Sequence, residues 1–171
     1  MRPGGLKSPI LLSFILKMIE KVKIENLVKE YIGGTELFLV AVRISSTGRI
    51  TILVDRKEGI TIDECAKLSR FIDNNLDRNV EDYELQVSSP GMDMPFLVKE
   101  QYYKNEGKQI EVIDFSGIRL TGILKNVTEG GFELETVVKT KNHGKSKSIE
   151  KKDISFNYEE VKSAREIVLF K

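Results

Sequence analysis

Between Tyr83 and Phe96 the chain reads YELQV and then SSPGMDMPF, so an alternating segment runs straight into a peptide carrying two prolines five residues apart. Tyr83, Leu85 and Val87 fall on one face of a period-two strand. Pro90 biases Ser89 to extended backbone, and Gly91 is expected to turn the chain with a positive φ. The result is a polar, conformationally restricted peptide at the end of a strand, an arrangement suited to a contact or a junction. It also divides the chain into two stretches with different hydrophobic patterns.

Before it, Ile24, Leu27, Val28 and Tyr31 recur at three and four residues, predicting an amphipathic helix over Ile19 to Ile32 that Gly33-Gly34 terminate. Glu36 to Ile44 is apolar on both faces of a strand. Turn residues Ser45 to Gly48 follow, and Arg49 to Asp55 alternates Ile50, Ile52 and Val54 with polar neighbours, which together predict a hairpin. Thr61 and Glu64 have capping-box spacing ahead of a second helix, with Cys65, Leu68, Ile72 and Leu76 on one face. Cys65 is therefore expected to point inward. The strand from Tyr83 to Val87 completes an α-β-β-α-β unit in which two helices cover one face of a small sheet.

After Phe96 the pattern changes to short strands at Gln109 to Asp114, Arg119 to Val127, Gly131 to Val138, Ile149 to Phe156 and Ile167 to Phe170. Five such strands predict a small closed barrel, because closure removes exposed edges. The expected class is α+β: an N-terminal α-β-β-α-β domain over 18–97, then a small C-terminal β-barrel domain over 98–171. Residues 1–17 hold Arg2, Lys7 and Lys17 and a short apolar run, Ile10 to Leu16, that has no small-residue cleavage site and is too short to span a bilayer. They are read as a leader or disordered tail, with Met18 as the natural start.

Charge is distributed unevenly. Residues 18–97 carry ten basic and fourteen acidic side chains, net −4, whereas 98–171 carry fourteen and twelve, net +2. The densest positive segment is Lys139, Lys141, Lys145, Lys147, Lys151 and Lys152, opposed within 139–152 by Glu150 alone. Lysines in a loop attract phosphate as point charges without reading sequence; a solvated hairpin tip is the competing explanation. Few aromatic residues lie nearby for base stacking, and the chain has no KH-type loop, Walker A loop or dinucleotide fingerprint.

One cysteine excludes an internal disulfide framework and one histidine excludes a His-rich metal site. Ser88 and Ser89 beside Asp93 invite a hydrolase reading with His143 as base, but the flanks lack a nucleophile elbow and His143 sits in a lysine-rich loop. Turn capping by those serines and Asp93 accounts for them more simply. Cys65 as a thiol nucleophile is weaker than Cys65 as a small core residue.

The run from Tyr83 to Pro95 resembles the Y-x-L-x-V-S-S-P-G-x-D-x-P signature of the bacterial ribosome maturation factor RimP family. Asp63 to Arg70 (DECAKLSR) is similar to that family's D-C-x-x-x-S-R segment, and Val161 to Leu169 to its terminal strand. The resemblance covers Met18 to Lys171 and implies an Sm-like or SH3-like C-terminal barrel. It also implies a non-enzymatic, cytoplasmic, monomeric assembly factor that binds the free or immature 30S subunit during 16S rRNA maturation. Its partners would be small-subunit components near the decoding region, including ribosomal protein twelve, with no cofactor, membrane or small-molecule substrate. Residues expected at the contact are Ser88, Ser89, Pro90, Gly91, Asp93, Met94 and Pro95, together with Lys145, Lys147, Lys151 and Lys152. Met94 stands where the family usually has arginine, and is expected to be exposed as an apolar contact. An Sm-like RNA regulator assembling as a ring and a serine hydrolase are the alternatives.

Overall fold

A computed structural model describes residues 8–76, 83–141 and 147–168. The chain separates into two compact units, 1–90 and 91–171. The expected join after Leu97 thus falls seven residues earlier. Phe96 explains the difference: its N–H donates to the Ala164 carbonyl at 2.7 Å and its ring meets Tyr102 edge-on at 4.9 Å, both within the second unit.

In the first unit, helix α1 spans Pro9–Ile32. Ser8 caps it, its hydroxyl accepting from the Leu11 N–H at 3.3 Å, and Pro9 occupies the first turn, where its missing N–H costs nothing. Apolar spacing alone predicts this helix from Ile19, with 1–17 as a leader or disordered tail. From Pro9 onward that segment is helix instead, because nothing between Pro9 and Ile32 interrupts it; residues 1–7 lie outside the described ones. Among the helix's described side chains, Ile24 and Val28 are the buried ones.

Strands β1 (Phe38–Ile44) and β2 (Arg49–Asp55) pair antiparallel, and β2 pairs parallel with β3 (Glu84–Ser88), giving the order β1-β2-β3. The crossover between the parallel pair is helix α2 (Ile62–Asn75). The expected capping box is present: Glu64 N–H donates to Thr61 Oγ1 at 3.3 Å and Thr61 N–H donates to Glu64 Oε2 at 2.8 Å. Those bonds, first the backbone one, hold the Glu64 carboxyl below its ordinary pKa. Ile24 and Val28 of α1, Leu68 and Ile72 of α2, and Val42, Ile50, Ile52 and Val54 of the sheet form one core. Cys65 is half-buried rather than inward on that stripe, and burial followed by the Glu64 charge pushes its thiol pKa up. That is the direction away from a reactive thiolate.

The second unit opens with helix α3 (Lys99–Lys104), which the sequence reading left unassigned. Gln101 Oε1 accepts from the N–H groups of Leu97 and Val98, substituting for a usual cap residue. Strands β4 (Gln109–Asp114), β5 (Arg119–Lys125), β6 (Gly131–Lys141), β7 (Lys147–Asn157) and β8 (Val161–Glu166) follow, in the sheet order β7-β6-β5-β4-β8, every neighbouring pair antiparallel. Among the described residues the last strand is Val161–Glu166, with Ala164 as its buried core residue; of the strand expected over Ile167 to Phe170, Ile167 adds one bond to Gln109, and Leu169 and Phe170 lie outside the described residues.

The expected closed barrel is not formed: β7 and β8 are the two edges, and no ladder joins them among the described residues. They are nonetheless consecutive, linked by the 3-10 turn Tyr158–Glu160. Four strand spacings across a flat sheet would place the edges roughly 19 Å apart. A three-residue link reaches about 10 Å. The sheet must curl, and it does so around Ile110, Val112, Leu124, Phe132, Leu134, Ala164 and Tyr102.

Tyr102 anchors that core, its ring centroid 5.0 Å from both Phe132 and Tyr158. Burial pushes the hydroxyls of Tyr102 and Tyr158 from an ordinary value near 10 up to about 12, Tyr158 adding to the rise at Tyr102 and Tyr103 to that at Tyr158. A folded pKa above the unfolded one gives stability that is complete below the unfolded value and lost as pH rises toward the folded one. The second unit is therefore expected to lose stability between about pH 10 and pH 12. An alkaline titration following tyrosinate absorbance and circular dichroism together checks this. All tyrosines ionising near pH 10 with a native spectrum would contradict it.

Candidate partner-binding surface

Strand β3 ends at Ser88, which is half-buried, as Pro90 is, whereas Ser89 is exposed. In the second unit, Gly91 to Met94 form a turn closed by Met94 N–H donating to the Gly91 carbonyl at 3.0 Å. Gly91 is not among the glycines with positive φ, contrary to expectation. The Asp93 side chain folds back over the turn, its Oδ1 2.9 Å from where a Gly91 Cβ would stand, and as the end of an exposed side chain it can move aside. Gly91, Asp93 and Pro95 are exposed. Met94 is half-buried, and the apolar side chain the turn presents to solvent is Met92, 64% exposed. Met94 is therefore not the fully exposed side chain it was expected to be.

Met92 and Asp93 border a cleft of about 390 Å³ whose other walls are Arg165, Glu166, Ile167 and Val168 at the end of β8. Three ion pairs order this rim and the strand beside it. Glu166 receives Lys108 Nζ at 3.2 Å, and that lysine also donates to Asn105 Oδ1 at 3.1 Å. Arg165 contacts Glu111 Oε1 through Nε and Nη2, both at 3.0 Å, while Arg119 Nη1 reaches Glu111 Oε2 at 3.0 Å. Glu111 itself is only 7% exposed. The grouping follows from register: Glu111 of β4 lies opposite Arg165 of β8, and Arg119 of β5 lies one diagonal away from it. Sequence reasoning missed all three residues. Alternation against Ile110 and Val112 puts Glu111 on the outer face, but only the order β5-β4-β8 reveals the arginines flanking it.

The lysines expected in a loop are distributed differently. Strands β6 and β7 form a ribbon paired from Gly131↔Asn157 to Lys141↔Lys147, so 139–141 and 147–152 are strand. Lys145 and His143 lie outside the described residues, and Lys147 is described only as a strand position. Lys151 is exposed, but it pairs with Glu135 Oε1 at 3.0 Å, while Glu135 Oε2 also receives Lys125. Those two lysines, Lys125 first, hold the Glu135 carboxyl below its ordinary pKa. Lys152 is exposed opposite Thr136. Long strands explain the misplacement: the run carries Thr140, Ser148 and Ile149 between its lysines, and alternation suits a ribbon as well as it suits a loop.

Among the described residues no group of three or more His, Cys, Asp and Glu could hold a metal ion, and no helix is long and apolar enough to cross a membrane. What the surface offers is a cleft edged by an exposed methionine, a carboxylate and an ordered guanidinium. Such a surface can take up a partner by contact.

Residues 27–93 match the family described as the RimP N-terminal domain. The chain is 35% identical over 152 residues to the ribosome maturation factor RimP of Porphyromonas gingivalis, covering 88% of this chain and 100% of that protein. It is 33% identical over 162 residues to that of Cytophaga hutchinsonii, covering 88% and 95%, and 39% identical over 93 residues to that of Christiangramia forsetii, covering 54% and 61%.

Proposed function

This chain belongs to the RimP family of ribosome maturation factors, and from that premise we propose that it binds the free or immature 30S subunit and promotes 16S rRNA maturation without catalysing a reaction. A ribosome maturation role follows from the family; the 30S particle is the more specific reading. The observation that carries it is the cleft edged by Met92, Asp93 and Arg165, where the most distinctive peptide of the sequence meets an ordered cation. The contact set extends from the exposed turn residues Gly91, Asp93 and Pro95 to the ribbon lysines. The protein works as a cytoplasmic monomer in this reading, and native mass measurement separates it from a ring-forming regulator.

Co-sedimentation with purified 30S, 50S and 70S particles tests the proposal, with binding to 30S and none to 50S or 70S as the expected result. Absence of the protein from the 30S pellet at low salt would overturn it. Replacing Lys145, Lys147, Lys151 and Lys152 with Gln is expected to lower affinity and to reduce the slope of log affinity against log salt by about 1 for each phosphate contact removed. Lys151, already paired with Glu135, should contribute least. A variant with wild-type affinity and slope would remove these lysines from the contact.

A further inference from the structure

We propose that Arg119 and Arg165, held side by side by the nearly buried carboxylate of Glu111, form a fork that chelates a phosphate of single-stranded RNA, with the adjoining nucleoside seated in the Met92–Val168 cleft. The proposal rests on the ribosome-binding reading and assigns it a contact. Two guanidiniums drawn to one carboxylate leave a local net charge of +1, and like charges are brought close only where something keeps them there. Glu111 does this from beneath, bonding Arg119 through one oxygen and Arg165 through the other, each at 3.0 Å. A guanidinium has more N–H donors than half a carboxylate can occupy. The Arg119 and Arg165 side chains remain 61% and 43% exposed, so donors are left facing outward in a fixed orientation. Planar donors fixed in this way match phosphate oxygens bidentately, which lysines on a ribbon do not.

Each arginine satisfies one oxygen of the nearly buried carboxylate, yet neither is buried in doing so. The neighbouring cleft supplies what a bound nucleotide needs beyond charge. Met92 and Val168 are partly exposed apolar walls for a base or sugar, and the competing acid Glu166 is already occupied by Lys108. Asp93 makes no ion pair among the described residues, and a carboxylate repels phosphate. The strand therefore lies with its phosphate at the arginine end and its sugar at the Asp93 end, where the carboxylate accepts from a ribose 2′-hydroxyl. That hydroxyl is what separates RNA from DNA.

The test uses the full chain and fluorescently labelled single-stranded RNA and DNA oligonucleotides of one mixed sequence, read by anisotropy at fixed salt. Replacing both arginines by lysine preserves net charge while removing the fork. It is expected to weaken RNA binding about tenfold. The wild type is expected to prefer RNA over DNA, and Asp93→Ala, which removes the acceptor, to erase the preference. Unchanged RNA affinity in the double-lysine variant overturns the fork, and equal wild-type affinity for RNA and DNA overturns the placement of the sugar. Should the double variant melt early, Arg119→Gln alone leaves Glu111 paired with Arg165 and must still weaken RNA binding. Co-sedimentation of the same proteins keeps the two readings apart. A double-lysine variant that pellets with 30S and binds RNA like wild type loses the fork but retains the ribosomal role. A wild type that binds RNA through the arginines yet never pellets with 30S loses the ribosomal role.

Discussion

Gly131→Ala is expected to destabilise the second unit by about 3 kcal/mol, a large share of the ~5–15 kcal/mol that holds a domain folded. The cause is distance. A Cβ at Gly131 would lie 2.0 Å from the Phe156 carbonyl oxygen, 3.0 Å from its carbon and 3.2 Å from Asn157 Cα, all backbone of β7. No rotamer change relieves a clash with backbone, so β6 and β7 must part where the chain enters the ribbon. The next pair in register is Phe132↔Phe156, whose rings stack at 5.5 Å, and Phe132 also packs on Tyr102. Separation there opens the aromatic core. Gly130→Ala is the matched control, since a Cβ at that position meets nothing within 4 Å and its φ is not left-handed. Thermal unfolding followed by circular dichroism and hydrogen exchange should show a lowered transition for 91–171 in the first variant and a near-native one in the second. Equal melting of both variants would mean that β7 shifts at little cost.

The first unit was largely legible in the sequence because its signals are local. Thr61 and Glu64 announce their own cap, Gly33-Gly34 end their own helix, and Ile50, Ile52 and Val54 declare a face by alternation alone. The second unit was read less well because its organisation is set by pairing across the sequence. Glu111 acquires meaning only when Arg119 and Arg165 arrive from strands on either side, the latter 54 residues away. Helix α3 was missed because Gln101 caps it from inside its first turn and Tyr102, its buried aromatic, is directed into the aromatic cluster rather than onto an apolar stripe. Closure of the sheet was the natural expectation from five short strands. The eleven-residue arms of β6 and β7 instead leave an edge unpaired. Gly91 misled for a different reason: glycine permits positive φ but does not require it.

Division of the chain between Pro90 and Gly91 is expected to leave two folded pieces, neither retaining the 30S affinity proposed for the intact protein. Each piece keeps its own core: Ile24, Val28, Ile52, Leu68 and Ile72 in 1–90, and Ile110, Val112, Leu124, Phe132 and Leu134 in 91–171. The cut also spares both sets of backbone bonds nearby, since β3 has ended at Ser88 and the second unit's first bond of the segment is Met94 to Gly91. Circular dichroism of the separate pieces should therefore add to the spectrum of the whole. Binding should not add in that way. When each unit makes a modest contact with the same particle, the covalent joint sets a millimolar effective concentration for the second contact, and losing the joint costs about 10²- to 10⁴-fold in affinity. Co-sedimentation with 30S at micromolar protein, comparing intact chain, each piece and their mixture, measures that loss directly. Recovery of full affinity by either piece would place the whole contact on one unit and leave the peptide from Ser88 to Pro95 as a connector only.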